Sequence, residues 1–163
     1  MICAKFNEKD KDEFRAILKL STTPYFRGIK GVVDGMVVCA AGFDRWTPNS
    51  CETHLWIRKP GDLTRYFIKE VFHYLFVTCN LGLVIGITPC NNVAAIRFNK
   101  KLGWKTVCVL EDAYVAGTNT AIQVIRREEC RWINQDERCR NQTPQQVQTT
   151  NNSLNSNPSH PLH

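Results

Sequence analysis

Apolar residues recur along this chain with two different periods, and the changes between them mark out its elements. Over residues 11–20, Phe14, Ile17, Leu18 and Leu20 fall on one helical face against Lys11, Asp12, Glu13, Arg15 and Lys19. Acidic residues near the start favour a helix there, with its apolar face on a sheet. Two apolar runs, 29–33 and 36–43, flank Asp34-Gly35, the dipeptide that closes a two-residue hairpin turn. After a loop at 45–50, the alternation over 51–57 predicts a strand with Glu52, His54 and Trp56 on one face. Asp62 is placed to cap a long helix over 63–79, apolar enough to be packed on most sides.

The run 83–88 predicts a buried strand, with Gly86 marking a close backbone approach, a splay between strands or an incidental weak point. A polar break then leads to a helix in which Ala95, Phe98 and Leu102 recur, with Asn92 as N-cap and Gly103 at its end. Strands at 106–115 and 120–126, joined by a turn at Gly117-Thr118-Asn119, form a closing hairpin. From residue 134 onward the chain is Asn, Gln, Thr, Ser and Pro with few apolar residues, a composition that cannot offset the entropy of ordering. The expectation is one domain over residues 1–133 and a disordered polar tail over 134–163.

Composition narrows the function classes. The eight cysteines stand singly, several inside apolar runs, which reads as core thiols in a reducing, cytoplasmic compartment. Neither Cys nor His supplies the closely spaced pairs of a structural zinc site, so no metal is expected. No segment has the length and apolarity of a signal peptide or a membrane span. The formal charge of +6 gathers at Arg58, Lys59, Arg65, Arg97, Lys100, Lys101 and Lys105, which reads either as a solvated face or as a site for a phosphorylated ligand. Nucleic acid is disfavoured as a partner, since no zinc finger or RNA-binding motif is present. Ser21, Ser50, Asp44 and His54 lie in no nucleophile motif, and Trp46 and Trp56 read as packing residues.

The segment from Asn92 to Trp104 resembles the coenzyme A-contacting segment of the GCN5-related N-acetyltransferase family, Asn-x-x-Ala-x-x-x-Tyr-x-x-x-Gly-Phe. Asn92, Ala95, Gly103 and Trp104 fill that pattern, and Asn99 stands where the family has Tyr. The order of elements over about residues 10–128 also agrees with the family, whose first strand would lie before Lys11, where the sequence is short and polar. The small size and departures from pattern resemble, more loosely, reduced members encoded by tailed bacteriophages.

The resemblance implies a mixed α/β fold, a mostly antiparallel central sheet with flanking helices. It also implies acetyl-CoA as co-substrate and a primary amine of a protein or small molecule as acceptor. The family's phosphate-loop signature, Gln/Arg-x-x-Gly-x-Gly/Ala, falls on Arg58, Gly61 and Leu63. Pro60 removes one N–H there and Asp62 adds a negative charge. By the resemblance, Leu55, Ile57, Arg58, Gly61, Leu63, Thr64, Asn92, Ala95 and Phe98 contact the coenzyme. Glu52 and His54 are the candidates to take the amine proton, and Asn99 and Tyr114 those to meet the thioester or the departing thiolate. A catalytically inactive binding protein built on the same fold, meeting a host or virion protein, is the alternative. The sequence sets neither the acceptor nor the oligomeric state.

Overall fold

The computed structural model describes residues 1–139. Its strands are β1 (Ile2–Lys5), β2 (Arg27–Val33), β3 (Met36–Asp44), β4 (Ser50–Ile57), β5 (Leu83–Pro89), β6 (Lys105–Val115) and β7 (Thr118–Arg126). They form one sheet in the order β1-β2-β3-β4-β5-β7-β6. Every neighbouring pair is antiparallel except β4 and β5. The helices are α1 (Lys11–Leu18), α2 (Arg65–His73), α3 (Val93–Leu102) and α4 (Gln135–Cys139). The fold is thus the expected mixed α/β one, with helices flanking a mostly antiparallel sheet.

Four local expectations need correction. A first strand is present: Ile2 to Lys5 pair with Val32 to Ile29, so the order is imposed by the β2 ladder and not by an apolar run of β1's own. The second helix is capped by Thr64, whose hydroxyl accepts from Phe67 N–H, because Asp62 is occupied elsewhere. That helix ends at His73 and widens into a π turn over Tyr74–Thr78. The closing hairpin turns at Ala116-Gly117, where Val115 faces Thr118 and Gly117 takes a φ of 80°. The Asp34-Gly35 hairpin forms as expected, both residues having positive φ, 49° and 77°.

The sheet buries one face under α1 and the other under α2 and α3. On the first, Phe14 of α1 meets Phe6 and Phe26 edge-on at centroid distances of 5.6 Å, and Phe6 meets Phe26 at 5.3 Å. Gly28 of β2 lies directly opposite Gly42 of β3 beneath this cluster. A Cβ on Gly28 would stand 2.6 Å from the Phe14 ring and one on Gly42 2.5 Å from Leu18, so the missing side chains let α1 rest on the strands themselves. On the second face, Phe67, Phe72, Leu75 and Phe76 pack with Val84, Leu102, Ile125 and Ile133.

Cys39, Cys51 and Cys130 are core thiols as expected. Burial pushes Cys51 up to about 12 and the other two to about 11, so none is a nucleophile. Cys108 is not buried, because both faces of the edge strand β6 are exposed along its whole length; Cys139 is exposed as well. The segment expected to be a tail opens with α4, and the rest of it lies outside the described residues. Among the described residues no helix is long and apolar enough to cross a membrane.

Replacing Gly28 with Ala drives a methyl into the Phe14 ring and to 2.9 Å from the Ala41 carbonyl oxygen. Urea denaturation is expected to show a loss of roughly 1–3 kcal/mol, the usual result of overpacking a filled site.

Candidate functional site

Ser50, Cys51 and Glu52 pair in parallel with Leu83, Val84 and Ile85, and there the ladder stops. Just past it the Thr53 hydroxyl donates to the Ile85 carbonyl at 3.2 Å. Beyond this point β4 stays with β3 as far as Ile57, and β5 stays with β7 as far as Pro89. The edges that β4 and β5 turn toward each other have no strand between them, so backbone polar groups face a cleft of about 700 Å³. The Trp104 ring packs on β5 3.1 Å from where a Cβ of Gly86 would be, and the β4–β5 ladder ends one residue before that glycine, so a close approach and the splay between strands both fall there.

The alternation of β4 sends neighbouring residues to opposite sides of the cleft. Glu52, His54 and Trp56 share the α1 face with their β3 partners Asp44, Gly42 and Ala40. Leu55 and Ile57 point the other way, toward α2. Of the residues singled out from sequence, His54, Leu55, Ile57, Leu63, Asn92, Ala95, Phe98 and Asn99 line the cleft together. Glu52, Arg58, Gly61 and Thr64 lie around it without lining it. Tyr114 does not join them: it is 59% exposed on β6, which β7 separates from β5. Trp56 packs against the Phe14–Phe26 cluster, as expected of a packing residue, and also lines the cleft.

His54 Nε2 lies 3.4 Å from Glu52 Oε1. Burial holds the imidazole below its ordinary value, and Arg45 acts in the same direction, against a smaller pull upward from Glu52 and Asp44. Glu52 is itself buried and pairs with the Arg45 guanidinium. Asp44, next along this face, accepts from Thr23 N–H and Arg45 N–H, each at 2.9 Å, and from the Thr23 hydroxyl. Burial would raise the Asp44 carboxyl, but these donors outweigh it and hold it below the usual carboxylate range. Arg45 and Thr23 escaped the sequence reading, and Asp44 was weighed there only for a nucleophile motif, because nothing local ties a loop cation to a strand acid seven residues away.

Asn99 points its amide N–H groups inward. Nδ2 donates to Gln123 Oε1 at 2.8 Å and approaches Thr88 Oγ1 at 3.4 Å, and Thr88 in turn donates to Gln123 at 3.2 Å. Both donors are spent inside the protein, so Asn99 offers the cleft an acceptor and no proton. For Asn99 to meet a thioester oxygen or thiolate, as expected, it would have to give up one of these bonds. Gln123, 1% exposed, was legible in principle as a lone amide within the apolar run Ala121-Ile122-Gln123-Val124-Ile125.

At the cleft's other end, Asp62 N–H closes a turn on the Lys59 carbonyl at 3.1 Å, and Gly61 takes a φ of 95°. The N–H groups of Gly61, Leu63 and Thr64 meet no acceptor among the described residues. They lie in the turn that leads into α2 and next to its N-terminus, an end that favours an anion. Arg58, however, is committed, its Nε 2.9 Å from Asp62 Oδ2. That bond holds the Asp62 carboxyl below its usual range. Across the cleft Asn92 caps α3, accepting from Ala95 N–H at 3.1 Å.

No protein-family model matches the sequence, and no curated protein matches it. Solved structures do match in fold. The spermidine/spermine N-acetyltransferase SpeG of Vibrio cholerae superposes with a TM-score of 0.67 at 11% identity, over 78% of this chain and 92% of that one. The ribosomal-protein-S18-alanine N-acetyltransferase of Escherichia coli gives 0.64 at 11%, over 77% and 92%. The aminoglycoside 6'-N-acetyltransferase of Enterococcus faecium gives 0.61 at 15%, over 77% and 97%. The chain has the fold of the GCN5-related N-acetyltransferases. At these identities the likeness is one of fold, and its neighbours are N-acetyltransferases named for a polyamine, a ribosomal protein and an aminoglycoside.

Asn99→Leu leaves the buried Gln123 carbonyl with one donor fewer. It is expected to cost about 1–3 kcal/mol in urea denaturation, the penalty of an under-satisfied buried polar group.

Proposed function

We propose that this protein is an acetyl-CoA-dependent N-acetyltransferase that passes an acetyl group to a primary amine by direct attack. The observation that carries the reading is the parting of β4 and β5 between a proton acceptor, His54, and a helix start with unspent N–H groups. The residues fit the coenzyme unequally. The apolar cleft walls, including Leu55, Ile57, Leu63, Ala95 and Phe98, suit a pantetheine arm, and the amides of Gly61, Leu63 and Thr64 suit a phosphate. Arg58 suits a phosphate only if it leaves Asp62.

Bound acetyl-CoA supplies an activated acyl thioester. The amine nitrogen forms a bond to the acyl carbon, the carbon–sulfur bond breaks, and the pair of electrons leaves on sulfur. Glu52 beside Nε2 favours the tautomer with its proton there, which leaves the lone pair of Nδ1 to take the proton the amine loses. Glu52, buried and paired with Arg45, orients His54. With Asn99 spent, the thiolate leaves without an acid from this side chain. The Arg58–Asp62 pair and the spent Asn99 favour the second reading, a non-catalytic binding protein on the same fold.

Thermal unfolding with acetyl-CoA separates the two. A ligand at about a hundredfold over its dissociation constant adds roughly 2.7 kcal/mol, so a clear rise in midpoint is expected, and none up to millimolar ligand rejects the enzyme. Asp62→Asn, which frees Arg58, is expected to tighten binding by about threefold at low salt.

The pH profile tests the base. Because burial lowers His54, kcat/KM is expected to rise with a midpoint below the ordinary histidine value of about 6.5. His54→Gln is expected to remove that limb and lower kcat by roughly 10²-fold or more. The same shift bears on stability. The unfolded chain takes up this proton first, so stability falls as pH drops from about 6.5 toward the folded value, and His54→Gln abolishes that part of the loss.

A further inference from the structure

We infer that the acceptor is a singly charged amine on an apolar body, of the kind presented by the α-amine of a hydrophobic peptide, and that polyamines are excluded. The inference rests on the acetyltransferase reading and concerns the α1 side of the same cleft. Among the described residues that line the cleft there is no Asp or Glu. On the side where His54 faces α1, the walls are Ile17, Leu18, Leu20 and Trp56, and Lys19 carries a positive charge at the rim.

The two carboxylates nearest on this face are already matched. Asp44 is held by Thr23 and by the Arg45 N–H, and Glu52 by the Arg45 guanidinium. A second ammonium on the acceptor would find no counter-charge and would meet Lys19, a like-charge juxtaposition that rejects a partner. An apolar body meets the opposite situation. Ile85 shares the face of Glu52, and so does Ile87 two residues further on, which lines the cleft and is 46% exposed. Ile87 faces Ile122 across β5 and β7, and Ile122 faces the exposed Cys108 across β7 and β6. An apolar strip therefore runs from beside His54 across the sheet, on ground that no helix covers near β6 among the described residues.

The loss of the amine proton to His54 and of thiolate from the coenzyme balances the transfer as before, so the acceptor needs only a free amine that the mouth admits. The test offers the full chain two acceptors at low salt with saturating acetyl-CoA, whose binding is measured separately by calorimetry. One is a pool of tripeptide amides built from Ala, Val, Leu and Phe; the other is spermidine. Product mass and thiol release are read for each. The peptide pool is expected to exceed spermidine in kcat/KM by at least about tenfold, and Lys19→Glu is expected to narrow or reverse that ratio with acetyl-CoA affinity unchanged.

Equal or better use of spermidine by the unaltered protein overturns the inference while leaving the acetyltransferase standing. So does binding of acetyl-CoA with no acetylation of the peptide pool. Failure to bind acetyl-CoA at all overturns the acetyltransferase reading itself, and this inference with it.

Discussion

A parallel pair of strands that stops pairing halfway is the constraint on which this molecule turns. Three residues of β4 engage three of β5, and the remainder of each strand is held by its outer neighbour. Both strands are thus fixed by ladders on one side and free on the other. An unpaired strand edge inside a protein is costly unless something polar or solvent meets it. Here the cost is met by opening a cleft, and the two helices that follow these strands converge on it. Trp104, packed on the Gly86 backbone, and the Asn99–Gln123–Thr88 cluster lock α3 and its following turn to β5 and β7, so that wall of the cleft is fixed.

The charges near the cleft are largely neutralised within the chain. Asp44 is matched by Thr23 and a backbone donor, Glu52 by Arg45, and Arg58 by Asp62. This leaves His54 in buried surroundings that hold its imidazole below the ordinary value. It also leaves the mouth nearly free of net negative charge. In the turn that leads into α2 the backbone amides of Gly61, Leu63 and Thr64 stand without an acceptor among the described residues, while the nearby cation Arg58 is held in an ion pair.

Much of this was legible from the sequence because local rules suffice for it. The Asp34-Gly35 turn, the Asn92 cap and the Gly103 stop are each set by a few neighbouring residues. The strand face carrying Glu52, His54 and Trp56 follows from alternation alone. What stayed hidden was contextual. β1 exists through its partner, Thr64 replaces Asp62 as cap because Asp62 bonds Arg58, and Asn99 turns its donors toward a glutamine on a distant strand. Tyr114 was misplaced because the last two strands swap order in the sheet, a crossover that no spacing along the chain records.

The facing glycines at 28 and 42 carry a consequence for how such a protein could change its substrate. Because α1 rests on bare main chain at these two positions, the height of that helix above the sheet there is set by the bulk of Phe14, Leu18 and Phe26. Gly42 is the β3 partner of His54, so the same helix roofs the strand position that carries His54. A change of one aliphatic side chain on α1 would raise or lower that roof without touching His54, Glu52 or Arg45. The space above this stretch of the sheet can then drift in size while the charged cluster beneath it stays as it is, so two copies of such a gene could diverge in what fits there before either lost that cluster.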